Sequence, residues 1–342
     1  MTDVLLESWS EAIDTLPLTG SPAHRARAAI RLAILAPSSH NTQPWLFTVR
    51  ETGIEVFLDR ARALPVADPD DRELTISCGA ALYHLRLALA FAGIAVRVAR
   101  LPDPEAPDLV ARIEFTGEHQ ASDEERELFR QIPARRTNRF PFEARELPST
   151  LVHELSHAAE REGAWLVVVE DEEDKGWLAD LIAAADRRQM ADKRFRRELA
   201  AWTRPNNTHR RDGIPGSGLG LGTVASVGAP LILRTFDLGE GRAARDRDLA
   251  IGSPALAVLG VRDDSPVELV RCGEALARLL LLARASGVYA SYLNQPIEVE
   301  ELRPEVERLV RAPGRAQLIL RLGFGRPVAP TPRRPVEEVL LP

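Results

Sequence analysis

The segments SCGAALYHLRLALAFAGI (77–94) and RCGEALARLLLLARASGV (271–288) align without a gap. They share Cys78/Cys272, Gly79/Gly273, Ala81/Ala275, Leu82/Leu276, Leu85/Leu279, Leu87/Leu281 and Gly93/Gly287. Helices rich in Ala and Leu resemble one another easily, so the apolar matches alone would also fit two unrelated core helices. The common Cys-Gly start and Gly stop argue for an internal duplication. A duplicated chain needs two like halves, each with a long central helix and strands, and the two helices can pack about a pseudo-two-fold axis. The 342 residues suffice for two such units. We place the halves at 1–120 and 121–342.

Several classes of protein are disfavoured at once. With 45% apolar and 27% charged residues the chain can bury a sizeable core. A net charge of -6 without basic or acidic blocks gives no sign of nucleic-acid binding. Two cysteines without CxxC spacing make neither a disulfide framework nor a zinc site, and Cys78 and Cys272 read as buried free thiols in helices. The N-terminus MTDVLLESWSEAI lacks the basic and apolar regions of a signal peptide. The longest apolar run, 87–96, is far short of a membrane span. The expectation is a soluble, cytoplasmic protein that does not engage a membrane.

Periodicity predicts helices at 3–15, 22–36, 72–92, 122–132, 149–161, 174–201 and 266–286. Strands are predicted at 45–50, 54–58, 94–101, 109–115, 164–170, 229–235, 255–261 and 316–322. The fold class is α+β: a mixed sheet flanked by helices in each half, around the two central helices. Residues 203–222, TRPNNTHRRDGIPGSGLGLG, are rich in Gly, Pro, Asn and Arg. A loop of that length in a compact fold is often a lid.

Three segments carry candidate chemistry. APSSHNTQPW (36–45) is a polar loop held between Pro37 and Pro44. Its Ser38, Ser39, Asn41 and Gln43 can bond a flat heterocycle rich in carbonyl and ring-nitrogen groups, or can satisfy the loop's own backbone. ARRTNRFPF (134–142) gathers Arg135, Arg136, Thr137 and Arg139, a set suited to phosphate unless it is a solvated basic loop. TPRRPVEEV (331–339) holds Arg333 and Arg334 between prolines, for a phosphate or as a surface tail.

Together these segments resemble the nitroreductase family of FMN-dependent oxidoreductases. The 36–45 loop is similar to that family's flavin-contacting signature, and Arg135 to Phe140 to its phosphate motif. YASYLNQP (289–296) resembles the strand after its central helix, and LRLGFGRP (320–327) with PRRPVEEV its C-terminal ending. In ordinary members the phosphate motif precedes the loop and two identical chains build two sites. Here the loop comes first, the arginine motif follows about 100 residues later, and each occurs once. That order resembles the Acg branch, in which one chain mimics the dimer.

The resemblance implies one FMN per chain, gripped by both halves. Arg135, Arg136, Thr137, Arg139, Arg333 and Arg334 would serve the phosphate. Ser38, Ser39, Asn41 and Gln43 would serve the ring, with Asn294 and Gln295 near its N5. The flavin would carry the hydride, so no protein residue is assigned as catalytic. NAD(P)H would be the donor, and a small nitroaromatic or quinone-like molecule the acceptor. A lidded site that only stores FMN is the alternative. The chain would be a monomeric pseudo-dimer or a weak homodimer.

Other patterns weigh less. The glycines at 216, 218, 220 and 222 follow no predicted strand, which disfavours a dinucleotide loop. HELSH (153–157) matches a zinc-binding spacing but lacks an evident third ligand, so an exposed helix face is expected and no metal is assigned. There is no GxSxG. His40 reads as a loop spacer, with proton donation as its other role.

Overall fold

The computed structural model describes residue 13 and residues 15–342. The helix expected at 3–15 therefore lies almost wholly outside the described residues. The first half runs α1 (Pro22–Ala33), β1 (Trp45–Arg50), β2 (Gly53–Leu58), α2 (Arg72–Phe91), β3 (Ile94–Arg100) and β4 (Leu109–Glu118). Then follow α3 (Asp123–Gln131), α4 (Ser149–Glu160), β5 (Trp165–Val169), α5 (Glu172–Ala191) and α6 (Lys193–Trp202). Next come β6 (Thr203–Arg204), β7 (Ile214–Pro215), α7 (Thr223–Thr235) and α8 (Gly239–Ile251). The chain ends with β8 (Ala255–Val261), α9 (Pro266–Ala285), β9 (Tyr289–Tyr292), α10 (Gln295–Glu298), α11 (Arg303–Leu309), β10 (Arg315–Gly323) and α12 (Val336–Val339).

Local chemistry accounts for several element ends. Ser21 caps α1, its hydroxyl accepting from His24 N at 3.2 Å, and Pro22 follows at the first helical position. Ser122 and Glu125 form a reciprocal capping box on α3. Both central helices end at a left-handed glycine, Gly93 with φ 79° and Gly287 with φ 80°.

The duplication is visible in the topology. One four-stranded sheet has the order β1-β2-β4-β3 and the other β5-β8-β10-β9, so each reads first, second, fourth, third. In each, the central helix lies between the second strand and the third. Pairing inside both sheets is antiparallel, and each becomes mixed at one edge through a parallel bridge. Leu340 bridges Phe47 of β1, and Thr137 bridges Ala290 of β9. The C-terminal tail thus reaches the sheet of the opposite half.

The central helices α2 and α9 pack against each other and are buried along most of their length. They cross where Gly79 meets Val270 and Gly273, while Gly273 meets Ile76 and Gly79. The repeat pairs Gly79 with Gly273 and Ile76 with Val270, so the contact is reciprocal and marks the pseudo-two-fold axis. Only glycine lets the two backbones approach so closely. Each helix also feeds the other's core: Val270, Ala277 and Leu281 join the cluster around Trp45 and Leu85, and Ile76 joins that around Leu259 and Leu320. By length and composition α2 could cross a membrane, but it is an interior helix of this core.

One element departs from its expected type. The stretch 229–235 is the second half of helix α7, which begins at Thr223 and packs on α6. The apolar run from Ala229 to Leu233 is too short for periodicity to separate strand from helix, and tertiary packing decides.

Candidate functional site

The loop between α1 and β1 is held in an unusual backbone. Six non-glycine residues have positive φ among the described residues, and three of them are His40, Asn41 and Gln43. Left-handed backbone at such residues costs energy and concentrates at functional sites. The Ser38 hydroxyl accepts from Gln43 N at 3.0 Å, which closes the turn. Ser39 donates to the Glu73 carboxylate at the start of α2. Asn294 Nδ2 donates to the same carboxylate at 3.0 Å, and Arg72 pairs with it at 3.2 Å. Glu73 therefore ties the loop of the first half to the end of β9 in the second.

The arginine segment lies against β9. Thr137 bridges Ala290, and Asn138 N donates to Ala290 O at 3.0 Å. Arg321 of β10 holds the segment from below, donating to the carbonyls of Asn138 at 3.1 Å and Phe140 at 3.0 Å. Arg135 and Arg333, far apart in sequence, both reach the Leu35 carbonyl at 3.4 Å. Arg333 also donates to Asn41 Oδ1 at 2.9 Å, joining tail and loop.

These groups surround one cavity of about 1120 Å³. Ser38, Ser39 and Asn41 line it, as do Arg135, Arg136, Thr137, Arg139, Asn294, Gln295 and Arg333. Gln43 and Arg334 are not in its wall. Gln43 is fully buried behind the loop, where its Oε1 accepts from Arg334 N at 2.8 Å and its Nε2 donates to Arg211 O at 2.7 Å. Arg334 points to Asp59 at 3.2 Å.

The electrostatics of the cavity favour an anion. Burial pulls Arg135 and Arg139 below the ordinary guanidinium value. Burial and the neighbouring Arg135 lower Arg136 to about 9. Burial, Arg135 and Arg136 hold Arg333 well below its usual value. Desolvated, mutually repelling cations are costly unless an anion joins them. Several polar atoms of the wall are buried without a hydrogen-bond partner among the described residues: His40 Nδ1, Arg135 Nε, Tyr292 Oη, Gln295 Oε1 and Arg321 Nε. A built structure rarely leaves so many unsatisfied in one place unless a ligand completes them.

The carboxylates of Glu73 and Glu298 also line the cavity, and burial followed by Glu73 pushes Glu298 up to about 8. Glu73, Glu298, Tyr292 and Arg321 were not singled out by motif. Tyr292 and Arg321 lie inside quoted segments, whereas nothing local marks Glu73 or Glu298.

A second cleft of about 820 Å³ lies along α2, β3, α3 and α9, and two of its positions match the first cavity in the register of the repeat. Arg271 stands there where Ser77 stands in the first cavity, and Arg100 where Asn294 stands. Its charges are already matched. Glu274, with no exposed side-chain surface, takes Arg86 and Arg100, while Glu162 takes Arg86 at 2.9 Å and Arg278 at 3.2 Å. His153 and His157 are exposed on α4, and no cluster of metal-ligating side chains occurs among the described residues.

Fold and site define a pseudo-dimeric α+β protein with one guanidinium-rich cavity between its halves. A candidate NAD(P)H nitroreductase of Mycobacterium tuberculosis, Acg, is 30% identical over 317 residues, 92% of this chain and 94% of that protein. A second candidate NAD(P)H nitroreductase of that organism, Rv3131, is 32% identical over 326 residues, 93% of this chain and 91% of that protein. The chain belongs to the nitroreductase family, in its Acg-like branch. No family model matches it. Among solved structures, the FMN-dependent nitroreductase NfnB of Mycobacterium smegmatis in complex with NADPH aligns over 63% of this chain and 97% of its own, at 16% identity and TM-score 0.40. A nitroreductase with bound FMN from Bacteroides fragilis aligns over 58% of this chain and 88% of its own, at 13% identity and TM-score 0.37.

Proposed function

We propose that this chain holds one FMN and moves two electrons from NAD(P)H to a small nitroaromatic or quinone-like acceptor. The observation that carries this reading is the common cavity, with the guanidinium cluster on one side and the 37–44 loop on the other. A phosphate dianion suits cations that burial destabilises, each charge-assisted hydrogen bond being worth about 1.5–3 kcal/mol. A heterocycle rich in carbonyl and ring-nitrogen groups suits the unpartnered Tyr292 hydroxyl and His40 ring nitrogen, and a ring N–H suits Gln295 Oε1. The names of the relatives favour NAD(P)H as the donor.

When bound, FMN supplies the two-electron chemistry at its ring. The chain's own residues bind and orient it. Arg135, Arg136, Thr137, Arg139 and Arg333 would hold the phosphate, and Ser38, Ser39 and Asn41 would fix the ring edge. Asn294 and Gln295 would serve the reacting edge, and they are held by Glu73 and by Asp186 and Asp246. Gln43 and Arg334 act from behind, locking loop to tail. The cavity exceeds the roughly 300–1,000 Å³ of ordinary ligand sites, which leaves space beside one cofactor.

A second reading, storage of FMN without turnover, is favoured by the 203–222 segment. Gly213 N donates to Asn41 O at 3.2 Å, and Asn41 Nδ2 donates to Gly213 O at 3.1 Å. The segment thus bonds directly to the loop, and Pro215 and Leu219 close part of the wall. Anaerobic addition of NADPH, and separately of NADH, to the purified protein tests both readings. Rapid bleaching of the flavin band with either donor is expected. No bleaching with either moves the assignment to storage. Protein that purifies colourless and takes up no added FMN overturns both.

A further inference from the structure

The cavity is not lined by the arginines and the 37–44 loop alone. An apolar part of its wall is formed by Met190, Phe195, Leu199, Leu219, Ala229 and Leu233, carried by α5, α6, α7 and the turn before α7. Most of these belong to a small apolar cluster of their own, apart from the clusters that pack the two sheets. Among the charged groups that also line the cavity, Glu240 pairs with Arg187 at 3.0 Å and Arg242 with Asp186 at 2.7 Å, while Asp237 accepts from Gly239 N at 2.8 Å.

The apolar end also has an apolar way out. Ile232 and Leu238 line the cavity yet are 44% and 41% exposed, so they form its rim. Outside that rim α7 presents Val224, Val227 and Leu231 to solvent, with Phe236 just beyond its end. Residues 222–233 of the chain contain no charged side chain. A helix apolar on both faces, one walling a cavity and the other in water, is poorly explained by core packing alone. A small, compact, polar acceptor would need neither the chamber nor the rim.

We propose that this chamber is a subsite for an extended apolar chain, so that the molecule received at the site is a lipophilic one: a flat redox-active head carrying an alkyl or isoprenoid tail. The head lies toward the polar end of the cavity and the tail runs between α5, α6 and α7, entering over Ile232 and Leu238. The position of the head rests on the FMN reading; the tail subsite rests on the apolar chamber alone.

The test is calorimetric titration of the purified protein with 1,4-naphthoquinones bearing methyl, hexyl and decyl chains, with FMN content measured separately from its visible absorbance. Each methylene withdrawn from water is worth roughly three- to fourfold in affinity. At least about a tenfold gain from methyl to hexyl is expected, allowing for incomplete burial. Ala229→Trp, which fills the chamber, and Ala225→Trp, at a cavity-lining position open to solvent, should each abolish the chain-length dependence while the methyl compound binds as before. Equal affinity for all three quinones in flavin-loaded protein overturns the subsite and leaves the FMN reading standing. Chain-length dependence in protein that holds no flavin supports the subsite and counts against the FMN reading. Chain-length dependence that survives both tryptophan variants, in protein that melts like the wild type, overturns the placement of the tail.

Discussion

Arg135 shows most clearly how a single side chain can be read. Its guanidinium is buried, its one hydrogen bond to the chain is a long one to Leu35 O, and its Nε has no partner among the described residues. Removing it therefore takes little from the empty protein and much from an anion complex. Arg135→Ala should lower FMN retention by at least tenfold, and Asn41→Ala should lower it too although it lies in the other half. Flavin-to-protein absorbance ratios after gel filtration measure both. An unchanged ratio in Arg135→Ala removes it from the phosphate site. His84 gives a prediction about pH. It is fully buried beneath the arginines, and burial, then Arg135, lowers its pKa to about 3. The unfolded chain binds its proton near 6.5, so the folded state takes up fewer protons between those values. Its contribution is neutral above about pH 7 and becomes increasingly unfavourable as pH falls toward 3. His84→Phe removes that term. The melting temperature of the wild type minus that of the variant should fall by a few degrees between pH 7 and pH 4.5. A difference independent of pH sinks the assignment.

At the scale of elements, the crossing of α2 and α9 is the most constrained contact. A methyl group on Gly79 would meet the Val270 carbonyl, and one on Gly273 would meet the Ile76 carbonyl, both well inside van der Waals contact. Gly79→Ala and Gly273→Ala should each destabilise the protein by about 1–3 kcal/mol or more, as overpacking does. Chemical denaturation reads this, and similar losses at the two positions are expected because the contact is reciprocal. The 203–222 segment is held differently, by exchangeable polar ties. Asp212 pairs with Arg204 at 3.0 Å and with Arg62 at 3.1 Å, fastening the segment to the first half. Asp212→Ala should loosen it and raise the rate at which NADPH bleaches the flavin, with little change in FMN content; stopped-flow absorbance measures the rate. A slower rate would mean that the segment builds the donor site instead of covering it.

The whole molecule shows why some features could be read from sequence and others could not. The duplication was legible because a helix crossing demands small residues at fixed positions, and Cys-Gly and the terminal glycines keep that record. The polar loop and the arginine run were legible as compositions, but a composition does not say which way a side chain faces. Arg333 faces the cavity and Arg334 faces away, because neighbours in an extended tail point to opposite sides. Gln43 belongs to the same loop as Asn41 yet serves its back. Glu73 and Glu298 escaped notice because only the fold brings them to the loop. The same whole-molecule view settles how many sites to expect. A true dimer of this architecture would offer two equivalent clefts, and this chain has a second cleft in which Arg271 and Arg100 stand at the positions of Ser77 and Asn294. In the first, burial holds Arg135, Arg136, Arg139 and Arg333 below the ordinary guanidinium value, while in the second Glu274, Glu162 and Glu124 answer Arg86, Arg100, Arg278 and Arg161. An incoming phosphate would have to displace buried carboxylates there, and breaking a buried pair costs about 3–5 kcal/mol. Titration with FMN should therefore saturate at one per chain. Glu274→Gln should weaken folding without creating a second site, since Glu162 and Glu124 remain. A stoichiometry of two, by calorimetry or native mass measurement, would mean that the ion-paired cleft opens to admit a ligand.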